Sequence, residues 1–120
     1  GTIDMVTSDH NPIDIEHKKI EFDYAMYGTI GLETAFGALQ TVFTMKKAID
    51  LLTKGRDRYS IDAIPIAIGA IAKLTLFNPN EDYQFKKEMI LSTSKNAIFE
   101  NYSLKGKVYG IFSNNQLVLK

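Results

Sequence analysis

Ile3, Met5 and Val6 form a short apolar run that stops at Ser8-Asp9-His10, and a long charged stretch then closes on Tyr27-Gly28-Thr29-Ile30-Gly31-Leu32-Glu33. A nearly continuous apolar run is the pattern of a parallel strand buried on both faces. Residues 2 to 8 are therefore expected as a strand in a parallel sheet, with Asp9 at its C-terminal end. Functional groups collect at that end of the strands in parallel α/β architectures. Residues 9 to 31 hold Pro12, the charged residues Asp14, Glu16, Lys18, Lys19, Glu21 and Asp23, and two glycines. That composition suits an exposed loop with a helical turn inside, and connections of this length usually carry function.

From Leu32 onward Ala35, Phe36, Leu39, Val42, Phe43, Ile49 and Leu52 follow helical spacing, and Lys54-Gly55 supplies a cation and a stop. One helix is expected there, with Asp50 and Lys54 as a solvated pair four residues apart. Between residues 55 and 69 the polar Arg56-Asp57-Arg58 gives way to Ile61, Ile64, Ile66 and Ile68 around Pro65, which suggests an extended edge segment. Beyond Gly69 the pattern is of strands and turns. It predicts strands over Ile71 to Phe77 and Tyr83 to Phe85 with Asn78-Pro79-Asn80 as a turn, and then a short helix over Lys86 to Leu91. Lys107 to Phe112 and Leu117 to Leu119 form a terminal hairpin through Ser113-Asn114-Asn115-Gln116, because Asn tolerates the positive φ of tight hairpin turns.

The 120 residues are 45% apolar, enough for one modest core and too apolar for disorder. Net charge is zero, so no general attraction to nucleic acid or an anionic membrane is built in. The absence of cysteine excludes disulfides, thiolate zinc sites and a cysteine nucleophile, and it fits a reducing compartment, with the cytoplasm as the default expectation. The apolar stretch from Ile64 ends at Lys73, about half the length of the roughly 18 residues a membrane span requires. No signal peptide is visible, and the first residue is Gly1 rather than Met, the start expected of a processed or truncated chain.

A carboxylate after a buried strand, as at Asp9, can ligate a hard or borderline cation and exchange a proton with water. A lone Asp-His there is more often a turn or a helix cap. The segments downstream shift that balance. Asp9-His10-Asn11-Pro12, then Glu16-His17-Lys18-Lys19, then Tyr27-Gly28-Thr29-Ile30-Gly31-Leu32-Glu33 opening a helix resemble the dihydroorotases. These are cyclic amidohydrolases that carry Asp-His-x-Pro, a charged loop and an aromatic-Gly-x-x-Gly-Leu-Glu segment in that order. The later segments Ile68 to Phe77 and Leu104-Lys105-Gly106-Lys107-Val108 resemble the same family more weakly. There the amidohydrolase Gly-x-x-Ala-Asp-Leu has Lys73 in place of Asp.

The resemblance implies an α/β chain that is the C-terminal part of a metal-dependent (β/α)8 TIM-barrel amidohydrolase plus strands of a small β-sandwich domain. Residues 1–60 would supply the last strand, active-site loop and helix of the barrel, and 61–120 the C-terminal strands of the small β-domain. The activity implied is reversible, zinc-dependent cyclisation of N-carbamoyl-L-aspartate to dihydroorotate in pyrimidine biosynthesis. Asp9 would be both a ligand of the binuclear zinc centre and the catalytic acid/base, taking a proton from the attacking hydroxide and passing it to the departing ring nitrogen. Tyr27 and Gly28 would bind substrate through their backbone, with glycine permitting the close approach. Many dihydroorotases carry a substrate-binding histidine four positions after the aspartate, where this chain has Ile13. That difference keeps a hydantoinase or allantoinase type of cyclic amidohydrolase open, as well as a non-catalytic scaffold of the kind that supports aspartate transcarbamoylase.

Other polar residues have ordinary readings. His10 is expected to orient the loop by a hydrogen bond rather than to bind metal, and His17 to be solvated. Glu33 suits the positive end of a helix, and Ser92-Thr93-Ser94-Lys95 reads as a polar loop rather than a phosphate site. The scattered Tyr and Phe residues read as core, not as a stacking platform for bases. A full barrel takes about 250 residues, and two histidines without a His-x-His pair cannot complete a binuclear centre. The chain alone is therefore expected to be inactive and to present apolar patches that the remainder of the barrel, or a homo-oligomer, would cover.

Overall fold

The structure, a computed structural model, describes residues 2–120. Its regular elements are three helices, α1 (Ala35–Val42), α2 (Met45–Thr53) and α3 (Gly55–Arg58), followed by three strands, β1 (Leu74–Gln84), β2 (Ser103–Ser113) and β3 (Gln116–Leu119). The strands form one antiparallel sheet in the order β1-β2-β3.

Residues 2 to 8 form no regular element and join no ladder among the described residues, contrary to the strand expected there. Their one backbone tie to a regular element is Val6 N–H donating to the Leu51 carbonyl of α2 at 2.9 Å. A parallel strand is defined by its neighbours, and no parallel partner exists within the described residues, so an apolar run by itself cannot make one. Met5 packs beside Gly55, and Asp4 pairs with Arg58, which holds this segment against α2 and α3. The loop that follows contains the expected helical turn, in fact two 3-10 turns at Ile15–Lys18 and Phe22–Tyr24.

The single helix expected from Leu32 to Lys54 is broken. Phe43 is extended at φ −117° and ψ 167°, and the Thr44 hydroxyl accepts the Lys47 N–H at 3.4 Å, capping a new helix. A threonine that can cap competes with continuing the helix, and apolar spacing alone does not register that competition. α2 ends at Thr53 with Lys54 as its C-cap, as expected of Lys54-Gly55, although Gly55 then opens the short α3. Asp50 pairs with Lys46 at 2.9 Å instead of with Lys54.

Asn78-Pro79-Asn80 is not a turn between two strands but an irregularity inside β1. Asn78 stands opposite Lys107 and Asp82 opposite Lys105, so Pro79, Asn80 and Glu81 face Gly106 alone. A bulge tolerates proline because its missing N–H is not needed in the ladder. Gly106 sits at φ +86°, and a Cβ there would come within 2.8 Å of Gln40 and 2.9 Å of Phe36, so α1 presses directly on this bulge. The Phe36 and Phe77 rings meet edge to face at 4.7 Å, and the Thr41 hydroxyl accepts the Lys105 N–H at 2.9 Å. The terminal hairpin forms as expected, with Asn114 at φ 51° and Asn115 at φ 58° in a two-residue turn. Of the helix expected over Lys86 to Leu91, only a 3-10 turn at Lys87–Met89 forms. Residues 59–73 contain no strand, contrary to the edge segment expected around Pro65.

The principal core joins Ile30, Phe85, Ile90 and Leu104, flanked by Ala38, Tyr83, Met89, Ala97 and Phe99. It thus draws on both sides of residue 60. It is small for the chain, and the Cα radius of gyration of 16.2 Å exceeds the value of about 14 Å typical of a compact domain this long. Ile66 is 90% exposed and Ile68 fully so. No helix among the described residues is long and apolar enough to cross a membrane.

Candidate active site

Three stretches of chain meet at a surface cavity of about 360 Å³ lined by Ser8, Asp9, Tyr27, Gly28, Thr29, Asn96 and Ile98. The first comes off the N-terminal segment, residues 2 to 8. There Asp9 adopts φ 44°, a left-handed conformation that aspartate visits more readily than most residues, and its side chain is exposed. The reversal at Asp9 directs the chain into the loop. His10 then accepts hydrogen bonds at Nδ1 from the Gly31 N–H at 3.1 Å and the Leu32 N–H at 3.3 Å. His10 thus orients the loop against the start of the helical region, as expected.

The second stretch is the return of the loop. Asn11 N–H donates to the Thr29 carbonyl at 2.9 Å, and Asn11 Nδ2 donates to the Tyr27 carbonyl at 3.3 Å. Gly28 lies at φ +141°, and a Cβ there would fall 2.8 Å from both Asn11 Nδ2 and Ile13 Cγ1. Only glycine fits this position. The Tyr27 ring is 86% exposed, so it is not part of the core. Ile13, in the position where a histidine stands in many of the proteins the sequence resembles, packs behind Gly28.

The third stretch was not singled out by the sequence. Asn96 and Ile98 enter the cavity from the irregular segment between β1 and β2, tied to the second stretch by the Asn96 Nδ2 bond to the Gly28 carbonyl at 3.0 Å. The polar run Ser92 to Lys95 was legible as a loop, but nothing local showed which loop it would meet. Its anchor is Glu33. The Glu33 carboxylate accepts the Leu91 N–H at 2.8 Å, the Ser92 N–H at 2.8 Å and the Ser92 hydroxyl at 2.6 Å. This replaces the helix-end role expected of Glu33. Burial works against its ionisation, but the Ser92 hydroxyl, the two N–H groups and the charge of Lys120 outweigh that and lower its pKa below the ordinary value. His17 is exposed in the loop, as expected.

Asp9, Tyr27 and Gly28, widely separated in sequence, thus share one cavity, of a size that holds a small molecule. The residues present do not hold a metal ion by themselves. Among the described residues no group of three or more His, Cys, Asp or Glu is placed to do so. Asp9 offers one oxygen donor.

In fold, 98% of the chain superposes on a D-hydantoinase (dihydropyrimidinase) from Thermus sp. with a TM-score of 0.81 and 20% identity, covering 28% of that chain. The same share matches a D-hydantoinase from Bacillus sp. AR9 with a TM-score of 0.70 and 19% identity, again over 28% of that chain. The fold is therefore that of a portion of these two larger chains. In sequence the chain is a homologue of dihydroorotases over part of their length. It is 35% identical over 114 residues to the dihydroorotase of Caldanaerobacter subterraneus subsp. tengcongensis, covering 90% of this chain and 26% of that protein. It is 34% identical over 127 aligned positions to the dihydroorotase of Chlorobaculum tepidum, covering 100% of this chain and 29% of that protein. The chain spans between a quarter and a third of the curated relatives it matches. No family model matches it.

Proposed function

We propose that this chain is the C-terminal part of a dihydroorotase. In this reading it contributes the last strand, active-site loop and helix of a (β/α)8 barrel and strands of a small β-sandwich domain. The complete enzyme interconverts N-carbamoyl-L-aspartate and dihydroorotate in pyrimidine biosynthesis. The observation that carries the reading is the meeting of Asp9, Tyr27 and Gly28 around one cavity. Asp9 is the catalytic carboxylate: it accepts the proton of the attacking water and delivers it to the departing ring nitrogen. The backbone at Tyr27 and Gly28 lines the place where the ring amide sits, and the φ of Gly28 allows the substrate to approach the main chain closely.

Zinc dependence belongs to the same proposal. Asp9 supplies one oxygen ligand, and the other ligands come from sequence outside these 120 residues, so the isolated chain is inactive. A hydantoinase-type substrate is the second reading. It is favoured by the fold likeness to two D-hydantoinases and by Ile13, which offers a substrate carboxylate no hydrogen bond.

The test is turnover of dihydroorotate, hydantoin and allantoin by the full-length protein, before and after chelation and with Asp9→Ala. Dihydroorotate turnover that needs zinc and falls about 10³-fold in the variant is the expected result. Turnover of hydantoin instead would select the second reading. A folded full-length protein that binds no metal and turns over none of the three rings would leave a scaffold.

A further inference from the structure

The Tyr27–Gly28 rim of the cavity is held from a distant segment to which no role has been assigned. Asn96 Nδ2 donates to the Gly28 carbonyl at 3.0 Å, and the Asn96 carbonyl accepts the Ile30 N–H at 3.0 Å and the Thr29 hydroxyl at 3.2 Å. Two residues further on, the Ile98 N–H donates to Thr29 Oγ1 at 2.9 Å. Two residues earlier, the buried Ser94 hydroxyl accepts the Asn96 N–H at 3.3 Å and donates to the Ile13 carbonyl at 2.8 Å. Residues 94 to 98 therefore touch both limbs of the loop that carries Asp9 at one end and Gly28 at the other.

Gly28 makes this tie matter. At φ +141° its backbone is in a region where glycine has many states of similar energy, so local sterics do not choose the direction of the peptide that follows it. A hydrogen bond to its carbonyl does choose. We infer that Asn96 is a positioning residue for ligand binding, which fixes the Gly28–Thr29 peptide at the cavity rim by holding the Gly28 carbonyl. The Asn11 bond to the Tyr27 carbonyl fixes the preceding peptide from the opposite side. Asn96 acts through the rim and not on the reacting bond, so its loss weakens binding and spares the chemical step. The inference rests on the cavity being the substrate site proposed above.

The test uses the full-length protein with Asn96→Ala, with Asn96→Asp, which keeps the volume but removes the donor, and with Gln84→Ala as an exposed control that does not line the cavity. Losing one hydrogen bond between neutral groups predicts a KM for the ring substrate raised up to about tenfold in both Asn96 variants. The expected kcat stays within about threefold of the parent, and the control keeps the parent KM. Amide hydrogen exchange at residues 27–30 should accelerate in both Asn96 variants while the β2–β3 hairpin is unchanged. An unchanged KM, a fall confined to kcat, or parent behaviour from Asn96→Asp would overturn the inference. If the parent turns over no cyclic amide, the functional proposal fails separately, and hydrogen exchange decides: faster exchange confined to residues 27–30 upholds the positioning role, and its absence overturns it.

Discussion

Glu33 shows how much a single carboxylate can be asked to hold. It accepts two backbone N–H bonds and one hydroxyl bond from residues 91 and 92, and its loss would leave those donors without their partner. Glu33→Ala is expected to destabilise the protein by about 2 kcal/mol, read by denaturant unfolding. The pH dependence has a definite sign. Because its pKa is lowered in the folded state from the ordinary value of 4.5, the stabilisation is complete above that value and is lost as pH falls through the lower, folded one. Unfolding curves of the parent and Glu33→Gln should therefore converge as pH falls below the ordinary value of 4.5 and through the lower, folded one. Gly28 is the other exacting residue. Gly28→Ala places a methyl against Asn11 and Ile13 at a positive φ, and a loss of about 1 to 3 kcal/mol is expected, measured as a fall in midpoint.

Among the elements, α2 exists as a separate helix because Thr44 caps it. Removing that acceptor with Thr44→Ala should cost about 1 kcal/mol, and circular dichroism of the variant should show some loss of helix if α2 frays from its start. The β2–β3 hairpin tests the opposite direction. Asn115 holds φ 58°, which glycine adopts without a Cβ penalty, and Asn-Gly is the preferred pair for a two-residue turn of this kind. Asn115→Gly should be neutral or stabilising by up to about 0.5 kcal/mol, whereas a β-branched residue there should destabilise by more than that. In β1 the expected turn became a bulge because α1 supports it: Gln40 Nε2 donates to the Pro79 carbonyl at 3.3 Å, from an element that the local pattern at Asn78-Pro79-Asn80 does not mention.

For the whole molecule, the small core and the extended outline have one physical meaning. Phe22 is 93% exposed and Ile66 90%, surfaces that in a folded protein are normally covered. The 120-residue chain expressed alone is expected to self-associate, and light scattering with a hydrophobic dye would record it. In the reading proposed above, co-expression with the remaining barrel sequence should give a monodisperse species and quench the dye signal.

The features legible in the sequence were those whose cause lies within a few residues. The Asn-Asn hairpin follows from which residues tolerate positive φ, the helical region from apolar spacing, the loop orientation by His10 from a histidine just after the apolar run. Asp9, Tyr27 and Gly28 could be named as candidates because each sits in a short motif that resembles one in the dihydroorotases. What only the tertiary structure decided is which distant groups complete them: Asn96 on Gly28, residues 91 and 92 on Glu33, Gln40 on the β1 bulge. Periodicity reports which face of an element is apolar, and not what meets that face. The run from Ile3 to Val6 illustrates the limit: its sequence is that of a buried parallel strand, but a strand acquires its ladder only from neighbours, and among residues 2–120 it has none.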